Sequence, residues 1–302
     1  MRLDKYLYQK YSYSRNFLQH LIKNGAVEVN NKVVTKKSFE VREGDIVEIK
    51  HPEKFFDESI LDEAAWVELP ILEEKKEWVV IYKPGGVLSH PGSSWDLKTP
   101  SVAAWARNKY RPKVDYSKKG NNWEFLKAGL VHRLDKDTSW IMLIAKTQRA
   151  LEYFQMLFKQ KSEKKSDKVL AKHYKALVWS DARWKLFLNS ITKTPYMIDE
   201  IVKPKNLPIK EFKKWVTLIK SFESVGDNLY LIDIQLVTGR THQIRYHLFS
   251  KGLKIIGDPL YGIRKDINLA PCFSPLFKGN MALEAYSLRF EDMDWNQIKI
   301  SV

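Results

Sequence analysis

Apolar residues along this chain recur at two different periods, and the position of each period constrains the fold more than any other feature. Between residues 3 and 22 they recur every three or four positions, which predicts two short amphipathic helices. Later stretches alternate at every second position, most cleanly from Tyr230 to Leu236, which predicts strands. The two patterns interleave without the even strand–helix repeat of a doubly wound sheet. The fold class is therefore expected to be α+β.

The first fifty residues are expected to form a small domain of two helices and a β-hairpin. Ser14 is suited to cap the second helix, and Gly25 is suited to end it. Short apolar runs on either side of Asn30-Asn31 favour a tight hairpin turn. We place this domain at residues 1–50, a linker at 51–70 and a second domain at 71–302.

The second domain opens with a short apolar strand that stops at the Lys83–Gly86 turn. Thr147 precedes a helical stripe, and the polar run Lys159–Lys168 that follows is predicted to be a solvated loop. A further alternating strand is centred on Tyr174, and a helix is expected after Thr238-Gly239.

The charge balance predicts an anionic partner. The chain has 51 Lys and Arg against 36 Asp and Glu, a formal net charge of +15. Such a surplus favours nucleic acid or an anionic membrane surface, although it also serves solubility. No stretch approaches the roughly 18 consecutive apolar residues of a membrane span, so nucleic acid is the better partner. The single Cys272 excludes an intramolecular disulfide, and a cytoplasmic location without a secretory signal is expected.

One candidate catalytic group is Asp135, within the polar stretch Val131–Ser139. The neighbouring Arg133 and Lys136 would keep this carboxylate ionised at neutral pH, as a nucleophile or a base requires. An aspartate beside an arginine is also a common structural ion pair, so this stretch alone leaves both readings open.

The second candidate stretch, Leu236–His247, passes from a strand through a glycine turn into a helix start rich in donors. Helix N-termini and arginines both attract anions, so Arg240 and Arg245 suit phosphates or a partner carboxylate. His242 and His247 are five residues apart, a poor spacing for two ligands on one helical face. No metal site is expected.

The N-terminal segment resembles the S4 RNA-binding domain. The resemblance rests on the Arg2–Asp4 opening, Ser14-Arg15 at the second helix, Gly25–Asn30 after it, and the Gly44-Asp45 turn. Such a module would bring Arg2, Arg15 and Lys23 to one surface where they contact phosphates. A basic helical hairpin without that function is the alternative.

The second domain resembles the RluA-type pseudouridine synthases, many of which carry an S4 domain in front. Five segments match in order, namely Lys83–Gly86 with His90–Gly92, His132–Ser139, Lys172–Val178, Thr238–Arg245 and Gly257–Gly262. The resemblance covers residues 71 to about 290 and implies the pseudouridine synthase fold, a mixed and mostly antiparallel β-sheet with flanking helices. It also implies an enzyme that isomerises uridine to pseudouridine in RNA without a cofactor or metal.

The resemblance also assigns roles. Asp135 matches the catalytic aspartate, whose role as nucleophile or base is open. Tyr174 matches the tyrosine that stacks on the target base and takes part in proton handling. Arg245 matches the basic partner of the aspartate, and Arg133 an arginine that helps hold the place of the extruded nucleotide. Arg240 is expected to contact RNA.

Two positions depart from the family pattern. Trp140 stands where the family usually has glycine, and Glu284 stands where it usually has histidine. We expect Trp140 to pack into the core, away from substrate. A non-catalytic RNA-binding or ribosome-assembly factor on the same fold is the alternative, and Trp140 is the feature in its favour. By analogy, the expected target is large-subunit ribosomal RNA, with transfer RNA as the alternative, and the protein is expected to be a monomer.

Overall fold

The computed structural model describes residues 1–11, 13, 15–51, 61–62, 66–91, 96, 98–113, 127–164, 170–180, 191, 195–201, 214–263 and 281–302. The chain divides into two compact units, one of Met1–Glu68, Leu88–Leu130 and Lys146–Gln148, the other of Leu69–Val87, Val131–Ala145 and Arg149–Val302. Much of the expected linker at 51–70 lies outside the described residues, and its bounds stay a prediction. Within the described ranges, no helix has the length and apolar character needed to cross a membrane.

The first unit contains the predicted helices and hairpin. Its elements are α1 (Leu3–Lys10), α2 (Arg15–Lys23), β1 (Val27–Val29), β2 (Lys32–Val33), β3 (Val47–Ile49) and α3 (Val102–Tyr110). The strands form an antiparallel sheet in the order β2-β1-β3. Asn30 and Asn31 both have positive φ, of 52° and 62°, as a tight hairpin turn requires. The apolar stripes of α1 and α2 are buried with this sheet in one core. Ser14 lies outside the described residues.

The second unit is built on a large mixed sheet. Its elements are β4 (Ile71–Glu74), β5 (Trp78–Lys83), β6 (Ser139–Ala145), α4 (Gln148–Lys164), β7 (Leu170–Ser180), β8 (Tyr196–Ile201), β9 (Lys214–Gly226), β10 (Leu229–Leu236), α5 (Gln243–Ser250), β11 (Leu253–Ile255), β12 (Leu283–Glu291) and β13 (Gln297–Ser301). The strand order is β4-β5-β6-β12-β7-β10-β9-β8, with β11 beside β7 and β13 beside β12. Of the pairs between described strands, β6–β12 alone is parallel. The expected α+β class with a mostly antiparallel sheet is confirmed.

The loop predicted for Lys159–Lys168 is wrong over its first part, because α4 continues to Lys164. Phe154 and Leu157 are buried, and Lys161 is only 6% exposed although it is charged. The helix therefore extends further than the polar composition suggested, and the side chain of Lys161, including its ammonium, is buried. Residues 165–168 lie outside the described part of the chain.

Three neighbouring strands bring one row of side chains together. In the register of the sheet, Trp140 of β6 pairs with Ala285 of β12, and Ala285 pairs with Tyr174 of β7. The small alanine between two large rings leaves room for them to meet, with ring centroids 5.5 Å apart. This row positions the site described next.

Candidate active site

A cavity of about 340 Å³ opens in the second unit, a size typical of small-ligand sites. Its wall is made by the loop before β6, by the end of α4, by β7 and by the turn from β10 into α5. Asp135, Tyr174 and Arg245 all line it. The structure therefore brings together the three residues predicted to carry the chemistry.

Asp135 and Arg245 form an ion pair across 110 residues of sequence. Arg245 Nη1 lies 3.2 Å from Asp135 Oδ2. The arginine side chain is 4% exposed, whereas the Asp135 side chain is 22% exposed. The carboxylate is thus held from behind by a buried cation and still opens into the cavity.

Asp258 fixes the guanidinium of Arg245 in this position. Arg245 Nε and Nη2 donate to Asp258 Oδ2 and Oδ1, both at 2.7 Å. Although burial raises the pKa of Asp258, the bonds from Arg245 and from the amides of Tyr261 and Leu260 outweigh it, so this pKa is lowered. Such a two-oxygen clamp leaves Nη1 aimed at Asp135.

The role of Asp258 was not predicted from the sequence, in which this residue is only part of the matching Gly257–Gly262 segment. The feature of the sequence that could have indicated it is Gly262, four residues later. A Cβ there would lie 2.1 Å from the carbonyl oxygen of Ile255, so the turn requires glycine. The chain turns tightly there, and Asp258 Oδ1 accepts from the amides of Leu260 and Tyr261 at 2.8 and 3.0 Å. The turn therefore fixes the carboxylate, which in turn fixes the guanidinium of Arg245.

Lys83 holds the loop that carries Asp135. Its ammonium donates to the carbonyl oxygens of Pro84, Val87 and Lys136, at 2.9, 2.7 and 2.9 Å. Gly86 also donates its amide to the carbonyl of Lys136. Burial lowers the pKa of Lys83 to about 8, and three acceptors take its donors. The lysine and the glycine turn together tie β5 to the residue after Asp135.

The turn into α5 is fixed by side-chain amides and hydroxyls. Thr238 Oγ1 accepts from the amide of Val216 and donates to Gln243 Oε1, at 2.9 and 2.7 Å. Gln243 in turn donates to the carbonyl of Val216 at 2.9 Å. This network places His242 in the left-handed region, with φ of 59°, and its Nε2 lies 3.6 Å from Asp135 Oδ2. Burial lowers the pKa of His242 against the attraction of Asp135, so Arg245 supplies the lasting positive charge at this carboxylate.

Trp140 is buried as expected, with no exposed surface, but it does not lie away from the site. The indole lines the cavity and packs under Tyr174, with an angle of 33° between the ring planes. The prediction that Trp140 packs away from the substrate site was wrong. Ala285 of β12 lies between Trp140 and Tyr174, and its small side chain lets the two rings meet at the cavity. Trp140 forms the floor beneath the tyrosine.

The predicted RNA-contacting arginines differ in their surroundings. Arg133 is exposed, Arg240 is half-buried, and both line the cavity. In the first unit, Arg2 and Arg15 pair with the buried Asp4, at 3.1 and 2.8 Å. Their side chains remain 39% and 46% exposed, so each has both a structural contact and a solvent-facing surface.

Lys23 is exposed at the end of α2. Among the described residues, no three His, Cys, Asp or Glu side chains gather as a metal site would need.

Comparison with known proteins agrees with this geometry. The family model of RNA pseudouridylate synthases matches residues 77–250, and the S4 domain model matches residues 1–47. An RNA pseudouridine synthase of Aquifex aeolicus is 31% identical over 293 residues, which cover 96% of this chain and 85% of the relative. The ribosomal large subunit pseudouridine synthase D of Buchnera aphidicola is 30% identical, with 86% of this chain and 75% of the relative covered.

A solved structure supports the fold. Human RNA pseudouridylate synthase domain containing 1 aligns with a TM-score of 0.52 at 19% identity, covering 78% of this chain and 83% of its own. The chain belongs to the RNA pseudouridine synthase family, with an S4 domain in front. It is an RNA pseudouridine synthase, an isomerase that converts uridine to pseudouridine.

Proposed function

We propose that Asp135 initiates the isomerisation at C1′ of the target uridine, with Arg245 orienting it and Tyr174 carrying the base. The observation that carries the proposal is the 3.2 Å contact between Arg245 and Asp135 at the cavity wall. A carboxylate held by one buried cation and open on its other side suits attack on a sugar carbon or removal of a sugar proton. Both routes break the C1′–N1 bond and join C5 to C1′, after which C5 loses its proton and N1 gains one. Asp135 is regenerated in each, either by leaving C1′ or by returning the sugar proton.

Tyr174 supplies a face for the detached uracil. Its side chain is 4% exposed and lines the cavity, and stacking on an aromatic face tolerates rotation of the base. Burial, followed by the charge of Asp135, raises the pKa of Tyr174. The phenol is therefore neutral near pH 7 and is a hydrogen-bond donor there, not a phenolate base.

The RNA contacts and target are part of the same proposal. The uridine must leave its stack to reach the cavity, which costs a few kcal/mol, and contacts of Arg133 and Arg240 with neighbouring phosphates would offset that cost. Arg2, Arg15 and Lys23 would add phosphate contacts from the first unit.

Large-subunit ribosomal RNA is the proposed substrate, because the Buchnera relative is named for the ribosomal large subunit. Transfer RNA is the alternative. A cytoplasmic location and a monomeric state stay predictions.

The test replaces one carboxylate in the cavity and compares it with an exposed carboxylate outside it. Asp135→Asn keeps the size of the side chain but removes nucleophile and base, so release of tritium from 5-tritiated uridine in RNA should cease while RNA binding persists. Asp227→Asn makes the same change at an exposed turn outside the cavity lining, and should retain activity. Near-normal tritium release by the Asp135 variant would contradict the assignment. Mapping pseudouridine in total RNA with and without the gene would identify the target.

A further inference from the structure

Lys172 is a cation at the cavity that the proposed mechanism leaves unused. It lies on β7 two residues before Tyr174, and both line the cavity. Since side chains on a strand alternate between faces, the two belong to the same face of the sheet. Lys172 is 9% exposed, and within the described residues its ammonium meets neither a carboxylate nor a hydrogen-bond acceptor. The donors of this ammonium are therefore left for water or for a ligand that enters the cavity.

Aromatic rings hold this ammonium in place. Lys172 Nζ lies 4.5 Å from the ring centre of Trp140 and 4.3 Å from that of Phe158. Trp140 also contacts Tyr174, so the rings connect the lysine to the tyrosine that would carry the base. Burial and the nearby Lys161 lower the pKa of Lys172, whereas the two ring faces and any incoming anion favour its charged form.

The reaction itself generates an anion at this place. When C1′–N1 breaks, by either route open to Asp135, the electron pair leaves with the base and spreads over N1 and the carbonyl oxygens. A base stacked on Tyr174 would present an edge to the neighbouring position on the same strand face. An N–H donor fixed there stabilises the charge as it develops, without transferring a proton.

We propose that Lys172 donates a hydrogen bond to a carbonyl oxygen of the detached uracil and stabilises it as an anion. This inference rests on the proposed role of Tyr174. It makes Lys172, held between Trp140 and Phe158, a further residue for the chemical step, distinct from the phosphate-contacting arginines.

The experiment is a single-turnover measurement at saturating RNA with Lys172→Met, which keeps the unbranched stem and removes the donor. The rate of uridine conversion should fall roughly 100-fold, as when one donor to a developing anion is lost, with the dissociation constant unchanged. The control is Lys175→Met on the same strand, where the ammonium lies 5.0 Å from the ring centre of Tyr286 and outside the cavity lining. Its rate should match the wild type.

A second substrate separates anion stabilisation from a structural role. RNA with 5-fluorouridine at the target site has a better leaving base, because fluorine makes the detached uracil anion less basic. The deficit of Lys172→Met in the rate at which 5-fluorouridine is consumed should therefore be smaller than its deficit on uridine. An equal deficit on both substrates, an unchanged rate, or a weakened affinity with a reduced salt dependence would each overturn the proposal, the last by assigning Lys172 to a phosphate.

If Lys172→Met does not fold, Lys172→Arg serves instead. It should retain a rate within tenfold of wild type, and a larger loss in a folded, RNA-binding protein would contradict the idea. A wild-type protein that converts no uridine would instead refute the proposed function.

Discussion

The Asp258→Asn substitution tests whether the clamp on Arg245 is a main support of the second unit. Asp258 Oδ1 accepts from Arg245 Nη2, Leu260 and Tyr261, and an amide oxygen in the same place would keep all three bonds. Its Oδ2 accepts from Arg245 Nε at 2.7 Å, where an asparagine would present an amide N–H to another N–H. The change thus removes one charge and turns one short contact into a repulsion.

The expected cost follows from burial. The side chains of Asp258 and Arg245 are 0% and 4% exposed, and removing one partner of a buried ion pair costs about 3–5 kcal/mol. Because Arg245 keeps its contact with Asp135, we expect the lower end, about 3 kcal/mol. In a unit of this size the midpoint of thermal unfolding should fall by roughly 6–12 °C.

The lowered pKa of Asp258 predicts how the stability difference between wild type and Asp258→Asn changes with pH. The folded pKa of Asp258 is lowered from 3.8, so its contribution to stability is complete above that ordinary value and is lost as the pH falls through the folded pKa. The difference between wild type and Asp258→Asn in urea unfolding should be constant from pH 5 to pH 7 and should shrink below pH 3.8.

The control is Asp292→Asn. Asp292 is another buried aspartate, and its partners are the neutral donors Asp294 N, Asn296 N and Asn296 Nδ2. Its replacement should cost about 1.5 kcal/mol, the lower end for loss of one hydrogen bond to a charged group. The reasoning about the clamp fails if the two variants lose equal stability at pH 7, or if the Asp258 deficit persists unchanged in acid.

Two further predictions concern the ring and the first unit. Tyr174→Phe should keep stacking and lose much of the single-turnover rate, whereas Tyr174→Ala should lose both; equal behaviour of the two variants would leave the hydroxyl without a role. Lys23→Gln should lower the slope of log affinity for RNA against log salt by about one unit, measured beside Lys5→Gln, an exposed lysine of α1 to which no phosphate contact is assigned. An unchanged slope for Lys23→Gln would exclude a phosphate contact there.

The helices and strands predicted from the sequence are those in which buried and exposed residues alternate regularly within the element itself. The helices of the first unit and the β10 strand each have one buried face, so their period is visible without a partner. β12 was not anticipated because it lies between β6 and β7 at the centre of the sheet. Residues on both of its faces are buried, and a strand buried on both sides loses the alternation that identifies it.

For the site, the sequence identified side chains but not their partners. The residues expected to act together, Asp135, Tyr174 and Arg245, were found through a resemblance and do line one cavity. The contacts of Asp258 and Lys83 with this group depend on turns that join distant segments. The spacing of residues along the sequence cannot predict such contacts, because they form only when β5, β6 and α5 come together in the folded unit.

The two departures from the family pattern lie in one place in the structure, which changes their meaning. Trp140 and Ser139 of β6 pair with Ala285 and Glu284 of β12 in the single parallel ladder between described strands. Glu284 Oε1 accepts a hydrogen bond from the Tyr82 hydroxyl at 2.8 Å, in a buried position. The indole fills the space beneath Tyr174 while the 3.2 Å contact between Arg245 and Asp135 is intact. A side chain that had collapsed the site would have displaced that pair. The larger ring also provides an aromatic face for Lys172. Tryptophan in place of glycine therefore changes the shape of the cavity beneath Tyr174 without destroying the site, which favours an active enzyme over the non-catalytic alternative.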